Sequence, residues 1–196
     1  MRMAAEERRQ AVLETACRVF SRLSYRGATT AEIARESGVT EPVLYRHFPS
    51  KRELYLACLD EAWTLVRGAW EEVLDEEQDP KLWVGAMGRA YLHLAAKDEK
   101  VQLIDLWIQA LSEAACDQKI RRHIRDQLRE VHEYTATVMR RSQAAGGILS
   151  DRDAEAEAWI FISLGLLGTI DRRLGMVGDQ FEAIFASRRT WMTGAA

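Results

Sequence analysis

The sequence predicts an all-α protein of about nine helices with a helix-turn-helix near its N-terminus. Three observations carry this. Apolar residues recur at spacings of three and four, and no alternating strand pattern, internal repeat or low-complexity tract interrupts them. Capping residues, prolines and glycines stand where helices start and stop. Only three prolines occur in 196 residues, so long helices are permitted.

The first apolar stripe, Val12, Ala16, Val19, Phe20 and Leu23, lies on one helical face and ends in the loop Ser24-Tyr25-Arg26-Gly27. Thr29 stands three residues before Glu32, the capping-box spacing in which each side chain satisfies a free backbone N–H. A short helix, Thr30 to Ser37, then stops at Gly38, which can take the left-handed conformation of a tight turn. A second short helix covers about Glu41 to Phe48, with Thr40 as its cap, Pro42 in its first turn and Pro49 closing it. Ser50 and Glu53 form another capping box, opening a helix to about Glu77.

Asp79-Pro80, a cap followed by proline at the first helical position, starts a helix to about Lys97. Residues 100–115 form an almost wholly apolar helix, interrupted mainly by Gln102, Asp105, Gln109, Ser112 and Glu113. From Gln118 to Ala145 runs a charged helix with a seam of Ile120, Ile124, Leu128, Val131, Thr135 and Val138, ended by Gly146-Gly147. Ser150 to Asp153 cap an eighth helix, apolar from Trp159 to Ile170, that stops near Gly175; a last helix covers about Asp179 to Thr193.

Composition bounds the function. With 47% hydrophobic and 29% charged residues the chain can build a core, which excludes disorder throughout. No run of 18 apolar residues exists, and Met1 to Gln10 lack the apolar core of a signal peptide, so a cytoplasmic protein without membrane contact is expected. Cys17, Cys58 and Cys116 are far apart and odd in number, against a disulfide framework or a clustered zinc site; no metal or cofactor is expected. Residues 1–60 hold ten Lys and Arg against eight Asp and Glu, whereas the rest holds 17 against 22, a weak hint of a polyanion partner for the first segment.

Residues 30–48 carry the sharpest signal. Two short helices crossing around a tight turn need a small residue at the crossing, and Ala34 supplies it. They need glycine four residues later, Gly38, and buried aliphatics at Ile33, Val39 and Leu44 to hold the angle. A helical hairpin without a nucleic-acid role would share part of this pattern.

The string Thr29-Thr30-Ala31-Glu32-Ile33-Ala34, Gly38-Val39, Leu44-Tyr45-Arg46-His47-Phe48 and Ser50-Lys51-Arg52-Glu53-Leu54 resembles the DNA-binding region of the tetracycline-repressor (TetR) family. The resemblance extends from about Arg8 to Leu59; beyond it only helix count, length and an apolar eighth helix agree. It implies a homodimeric, ligand-responsive transcription regulator, usually a repressor, that binds double-stranded operator DNA. Its parts would be a three-helix reading head, residues 6–51, and a helical effector-binding and dimerisation body, residues 52–196.

By resemblance Thr30 bonds a phosphate; a solvated helix residue is the other reading. Tyr45 carries a hydroxyl for phosphate or base, or packs only. His47 matches the family position that meets the DNA backbone, or caps its helix, and Lys51 offers a point charge for phosphate or is an ordinary solvated lysine. Base readout falls among Thr40, Glu41, Pro42, Val43 and Arg46, since the first turns of a recognition helix face base edges. Arg46 suits guanine; Glu41 suits cytosine N4 or merely complements the helix dipole. Glu41 and Val43 fill positions where family members vary, so the operator sequence does not carry over.

In the body, Trp83, Met87 and Tyr91 share one helix face and Trp63 and Trp70 another. Such stripes are usually core, but family effector cavities lie among helices four to eight. That makes Trp63, Trp70, Trp83, Met87, Tyr91, Asp105, Trp107 and Gln109 the candidate pocket for a small, largely apolar effector. His93 alone reads as a structural histidine. The eighth helix, with Ile160, Ile162, Leu164, Leu166, Leu167 and Ile170, is apolar on several faces, so a second subunit is its natural cover, with Gly165 and Gly168 permitting close approach; a central core helix is the other reading.

An enzyme is not expected, because G-x-S-x-G, G-x-G-x-x-G, P-loop, H-E-x-x-H and paired Glu-x-x-His motifs are all missing. A purely structural bundle leaves the helix-turn-helix register unexplained. The alternative to a small-ligand switch is a helical regulator answering to thiol oxidation, through Cys17 and Cys58, or to a protein partner.

Overall fold

A computed structural model describes residues 5–95, 98–178 and 180–194. Among them are nine α-helices and no strand: α1 Ala5–Gly27, α2 Thr30–Glu36, α3 Glu41–His47, α4 Lys51–Glu76, α5 Trp83–Ala95, α6 Asp98–Ala114, α7 Gln118–Ala144, α8 Ala154–Leu174 and α9 Gln180–Thr193. The expected ends at Lys97 and Asp179 lie outside the described residues.

Most boundaries follow local hydrogen bonds. The Thr29 hydroxyl accepts from the Glu32 N–H at 3.1 Å, and the Ser50 hydroxyl from the Glu53 N–H at 3.1 Å. Asp153 caps α8 by accepting from the Glu155 and Ala156 N–H groups, and Gly175, φ 62°, ends it in the left-handed region. Three expectations need correcting. The loop at Ser24–Gly27 is a break at Ser24 alone, whose φ of 64° is uncommon for a residue with a Cβ, and helix resumes to Gly27. Asp79-Pro80 opens a 3-10 turn, Pro80–Leu82, before α5 begins at Trp83. Thr40 occupies the cap position of α3, but its side chain makes no cap bond.

The chain packs as two compact units. The first comprises the described parts of Met1–Val66 and Ala95–Asp126. Here α1 packs on α2, α3 and α6. Val12, Ala16, Val19, Phe20, Ile33, Ala34, Leu44 and Leu54 are buried, and Phe20, Tyr25 and Tyr55 form an aromatic cluster with ring centroids 4.8–6.2 Å apart. Buried aliphatics on each short helix fix the crossing that the Ala34–Gly38 spacing allows; of the five register positions, only Val39 remains half-exposed and Gly38 open, at φ 68°.

The second unit comprises Arg67–Leu94 and the described part of Gln127–Ala196. Ala136, Met139, Ile148, Ala154 and Ala158 form a core cluster against which Val84, Phe161 and Met192 pack. No helix among the described residues is long and apolar enough to cross a membrane.

Candidate nucleic-acid interface

All nine proposed DNA-binding residues fall on α2, on α3 with its cap, and on the first residue of α4. On α3 and its cap, Thr40, Pro42, Tyr45 and Arg46 are exposed, while Leu44 is buried. Glu41, Val43 and His47 are half-buried, as are Thr30 on α2 and Lys51 on α4. One face of a seven-residue helix is therefore spent on the core, and the opposite face carries polar groups into solvent. Arg46 makes no ion pair among the described residues, so its guanidinium is available to a partner.

A polar chain links the two helices. The Thr30 hydroxyl donates to Glu41 Oε1 at 2.6 Å, and Thr30 Oγ1 lies 3.1 Å from the Tyr45 hydroxyl. No periodicity reports such a bond, since Thr30 and Glu41 belong to different helices. Glu41 therefore has a partner beyond the dipole of its own helix.

Lys51 Nζ sits 4.8 Å over the Tyr25 ring, and burial, opposed by Glu113, holds its pKa below the ordinary lysine value. Arg9 lies 4.8 Å over the Phe48 ring, covering the end of α3. Neither ring contact was legible in the sequence, because each joins a cation to an aromatic on a distant element.

The back of the head is fastened by polar bonds that the sequence did not reveal. Gln109 Nε2 on α6 donates to the Ser21 carbonyl on α1 at 3.1 Å, and Arg26 Nε donates to Glu113 at 3.0 Å. Arg52 Nε donates to Asp117 at 2.8 Å, and the same carboxylate accepts from the Lys119 and Ile120 N–H groups, capping α7. Burial raises the Asp117 carboxyl, but those two N–H groups and the Arg52 guanidinium outweigh it and hold its pKa below the usual 3.8.

The proposed pocket residues divide between the units. In the first, Trp63 is buried, Asp105 and Trp107 are half-buried, and Gln109 has its Oε1 buried without a hydrogen-bond partner. In the second, every proposed residue touches its own chain. Trp70 donates to the Met87 carbonyl at 3.1 Å and stacks on Tyr134, Trp83 donates to the Glu77 carbonyl at 2.9 Å, and Tyr91 donates to the Gly165 carbonyl at 3.3 Å. His93 is exposed.

The two glycines of α8 have intramolecular neighbours. A Cβ on Gly165 would lie 3.3 Å from the Tyr91 ring, and one on Gly168 would lie 3.3 Å from the Phe181 ring. Their open sides thus face α5 and α9 of the same chain rather than the outer face of α8, where a crossing with a second subunit was expected. That outer face is apolar all the same: Leu166 and Ile170 are exposed on α8, with Leu174 at its end. The thiols of Cys17 and Cys58 are buried, and burial, reinforced by the Cys17 thiol, pushes the Cys58 pKa up, away from the reactive thiolate.

Comparison with known proteins agrees with this geometry. Residues 12–58 match the sequence model of the family described as "Bacterial regulatory proteins, tetR family". The transcriptional activator FasR of Mycolicibacterium smegmatis is 43% identical over 81 residues, which are 39% of this chain and 37% of that protein. The chain thus spans less than half the length of the curated relatives it matches. Among solved structures, a TetR-family regulator from Agrobacterium tumefaciens superposes with a TM-score of 0.81 at 19% identity, over 97% of this chain and 100% of that one. A transcriptional regulator from Saccharomonospora viridis, in complex with choline, superposes with a TM-score of 0.76 at 25% identity, over 88% of each chain.

Proposed function

We propose that this chain, which belongs to the tetR family of bacterial regulatory proteins through its reading head, is a homodimeric repressor released from a pseudo-palindromic operator by a small, largely apolar effector. The observation that carries DNA reading is the outward face of α3. Thr40, Pro42, Tyr45 and Arg46 stand in solvent there while Leu44 anchors the helix from behind. Such a helix presents base-reading groups to the major groove, with Thr30, His47 and Lys51 placed beside it for phosphates.

The dimer reading rests on the uncovered apolar side chains of α8 and α9. Ile170 is 46% exposed, Leu174 66% and Trp191 50%. A second copy covering them would remove a large apolar surface from water. Effector release rests on the first unit. Gln109, with a buried unpaired acceptor, lies on the helix that bonds the Ser21 carbonyl of α1. A ligand donating to Gln109 Oε1 and packing on Trp63 or Trp107 would pull on α6 and hence on the head. A coupling of about 1–3 kcal/mol weakens operator binding 5- to 150-fold. The likeness to an activator favours activation as the second reading of the same DNA contact.

Selection from a pool of random duplexes at low salt tests the reading. A palindrome with half-sites about one helical turn apart, roughly 34–36 Å, is expected. Salt should weaken its binding steeply. A pool that returns no enriched palindrome removes the reading.

A further inference from the structure

We propose that Glu41 is a specificity-determining residue that keeps the Thr30 and Tyr45 hydroxyls away from the DNA backbone until the amino group of a base takes its carboxylate. The inference rests on the DNA reading above and deepens it.

The direction of the protons is decisive. A carboxylate only accepts hydrogen bonds, so the proton on the 2.6 Å bond between Thr30 and Glu41 is the single hydroxyl proton of Thr30. With that proton committed, the 3.1 Å contact between Tyr45 and Thr30 is a bond in which Tyr45 donates. Both hydroxyl protons therefore run inward, from Tyr45 to Thr30 to Glu41. A phosphate oxygen offers only lone pairs. In this arrangement it would meet oxygen acceptors and a negative charge, not donors.

Phosphate clamping by Thr30 and Tyr45 thus needs Glu41 to let go. Releasing a carboxylate from a charge-assisted bond is favourable only where another donor replaces it. Glu41 is the first residue of α3, in the turn that meets base edges when such a helix enters the major groove. There, cytosine N4 and adenine N6 are donors, whereas guanine and thymine present acceptors to the same position. A base amino group that draws the carboxylate off Thr30 frees two hydroxyls for the backbone; a base without one leaves them on Glu41. One base thereby governs two phosphate contacts, and discrimination at that position exceeds what a single base contact supplies. A carboxylate acting by charge repulsion alone would instead penalise every duplex to the same extent.

The test uses the full chain and two probes, the palindrome enriched from the random pool and an unselected duplex of equal length. Thr30→Val and Tyr45→Phe should each weaken binding to the palindrome by about tenfold, the scale of a hydrogen bond to a charged group. On the unselected duplex the same variants should change affinity by less than about twofold, because their hydroxyls are already held by Glu41. Glu41→Ala should tighten binding to the unselected duplex by about tenfold, and a repeated selection should lose its preference at one position of each half-site. Glu41→Gln, which keeps an acceptor and adds a donor, should move that position toward adenine. Thermal melts establish that all four variants fold. Equal losses on both duplexes for Thr30→Val and Tyr45→Phe would overturn the relay, as would Glu41 variants that retain every base preference. In both cases the DNA reading itself stands, because the unaltered chain has selected its palindrome. Failure of the unaltered chain to select one removes that reading and the relay with it.

Discussion

α3 and the pair α8–α9 both leave side chains in water, and the kind of side chain differs. On α3 and its cap the exposed groups are Thr40, Pro42, Arg46 and the hydroxyl-bearing Tyr45, and Leu44 is fully buried. On α8 and α9 they include Trp159, Leu166, Ile170, Leu174 and Trp191, while α8 buries only Ala154, Glu157, Ala158 and Thr169. α3 has buried its own apolar side and offers the Arg46 guanidinium outward. The second pair has left apolar surface unburied, at a cost in water of about 25 cal/mol per Å². A polyanion suits the one and an apolar protein surface the other.

The largest expected effect breaks the apolar side of that contrast. Replacing both Ile170 and Leu174 by Glu puts four charges into the proposed interface of a symmetric dimer. Apolar anchors of this kind carry about 2–4 kcal/mol each. Sedimentation should then show a monomer at micromolar concentration, with palindrome binding lost and the head still folded. An unchanged sedimentation coefficient would place the interface elsewhere.

Next comes a substitution that separates packing inside the subunit from packing between subunits. Gly165→Leu forces a side chain against the Tyr91 ring, and overpacking of this sort costs about 1–3 kcal/mol. The loss should appear as a lower Tm, and Tyr91→Ala in the same chain should restore part of it. No such rescue is expected if Gly165 instead meets a second subunit. This residue also shows where sequence reading stops. A glycine in an apolar helix announces that something comes close, but not from which side, and the ring that approaches stands 74 positions away. Helix starts at Thr29, Ser50 and Asp153 were legible because a cap is a bond to a neighbour two or three residues on. The helix-turn-helix was legible for a similar reason: seven-residue helices around Gly38 have few ways to bury Ile33, Ala34 and Leu44. The Thr30–Glu41 bond, the Gln109–Ser21 bond and the Lys51–Tyr25 contact join separate elements, and no spacing encodes them.

Two substitutions sharpen the polar side of the contrast by distinguishing base from backbone contacts. Arg46→Ala should change which base is preferred at one position of each half-site, at about 1–3 kcal/mol if the guanidinium takes guanine in bidentate fashion. Lys51→Ala should weaken all duplexes alike and make the salt slope less negative by about one for every phosphate left without its lysine. Selection experiments and binding titrations from about 50 to about 200 mM salt read the two effects separately. If Lys51→Ala altered sequence preference with the salt slope intact, its charge would be acting on bases and not on phosphates.

The smallest effect concerns what holds the polar head in place. Asp117 accepts from Arg52 at the start of α4 and from two N–H groups at the start of α7, so one carboxylate fastens two helices of the first unit. Its pKa is depressed in the folded chain. A depressed carboxyl stabilises the fold above its unfolded value, near 3.8, and that contribution is lost as pH falls through the lower folded value. Asp117→Asn keeps a capping oxygen but loses the charge facing Arg52, so it should cost about 0.2–1 kcal/mol at neutral pH, the usual worth of a partly exposed ion pair. The gap between variant and unaltered chain should narrow below pH 3.8, where the native carboxyl itself takes up a proton. Asp171 provides the internal comparison: its carboxylate accepts from the Val177 and Gly178 N–H groups, in the turn that follows its own helix. Amide exchange in Asp117→Asn should rise in the first turns of α4 and α7 and stay unchanged in α8. In Asp171→Asn it should rise at the end of α8 and leave the head alone. Urea midpoints that differ by the same amount at neutral and at acid pH would mean that the Asp117 charge does not fasten the head.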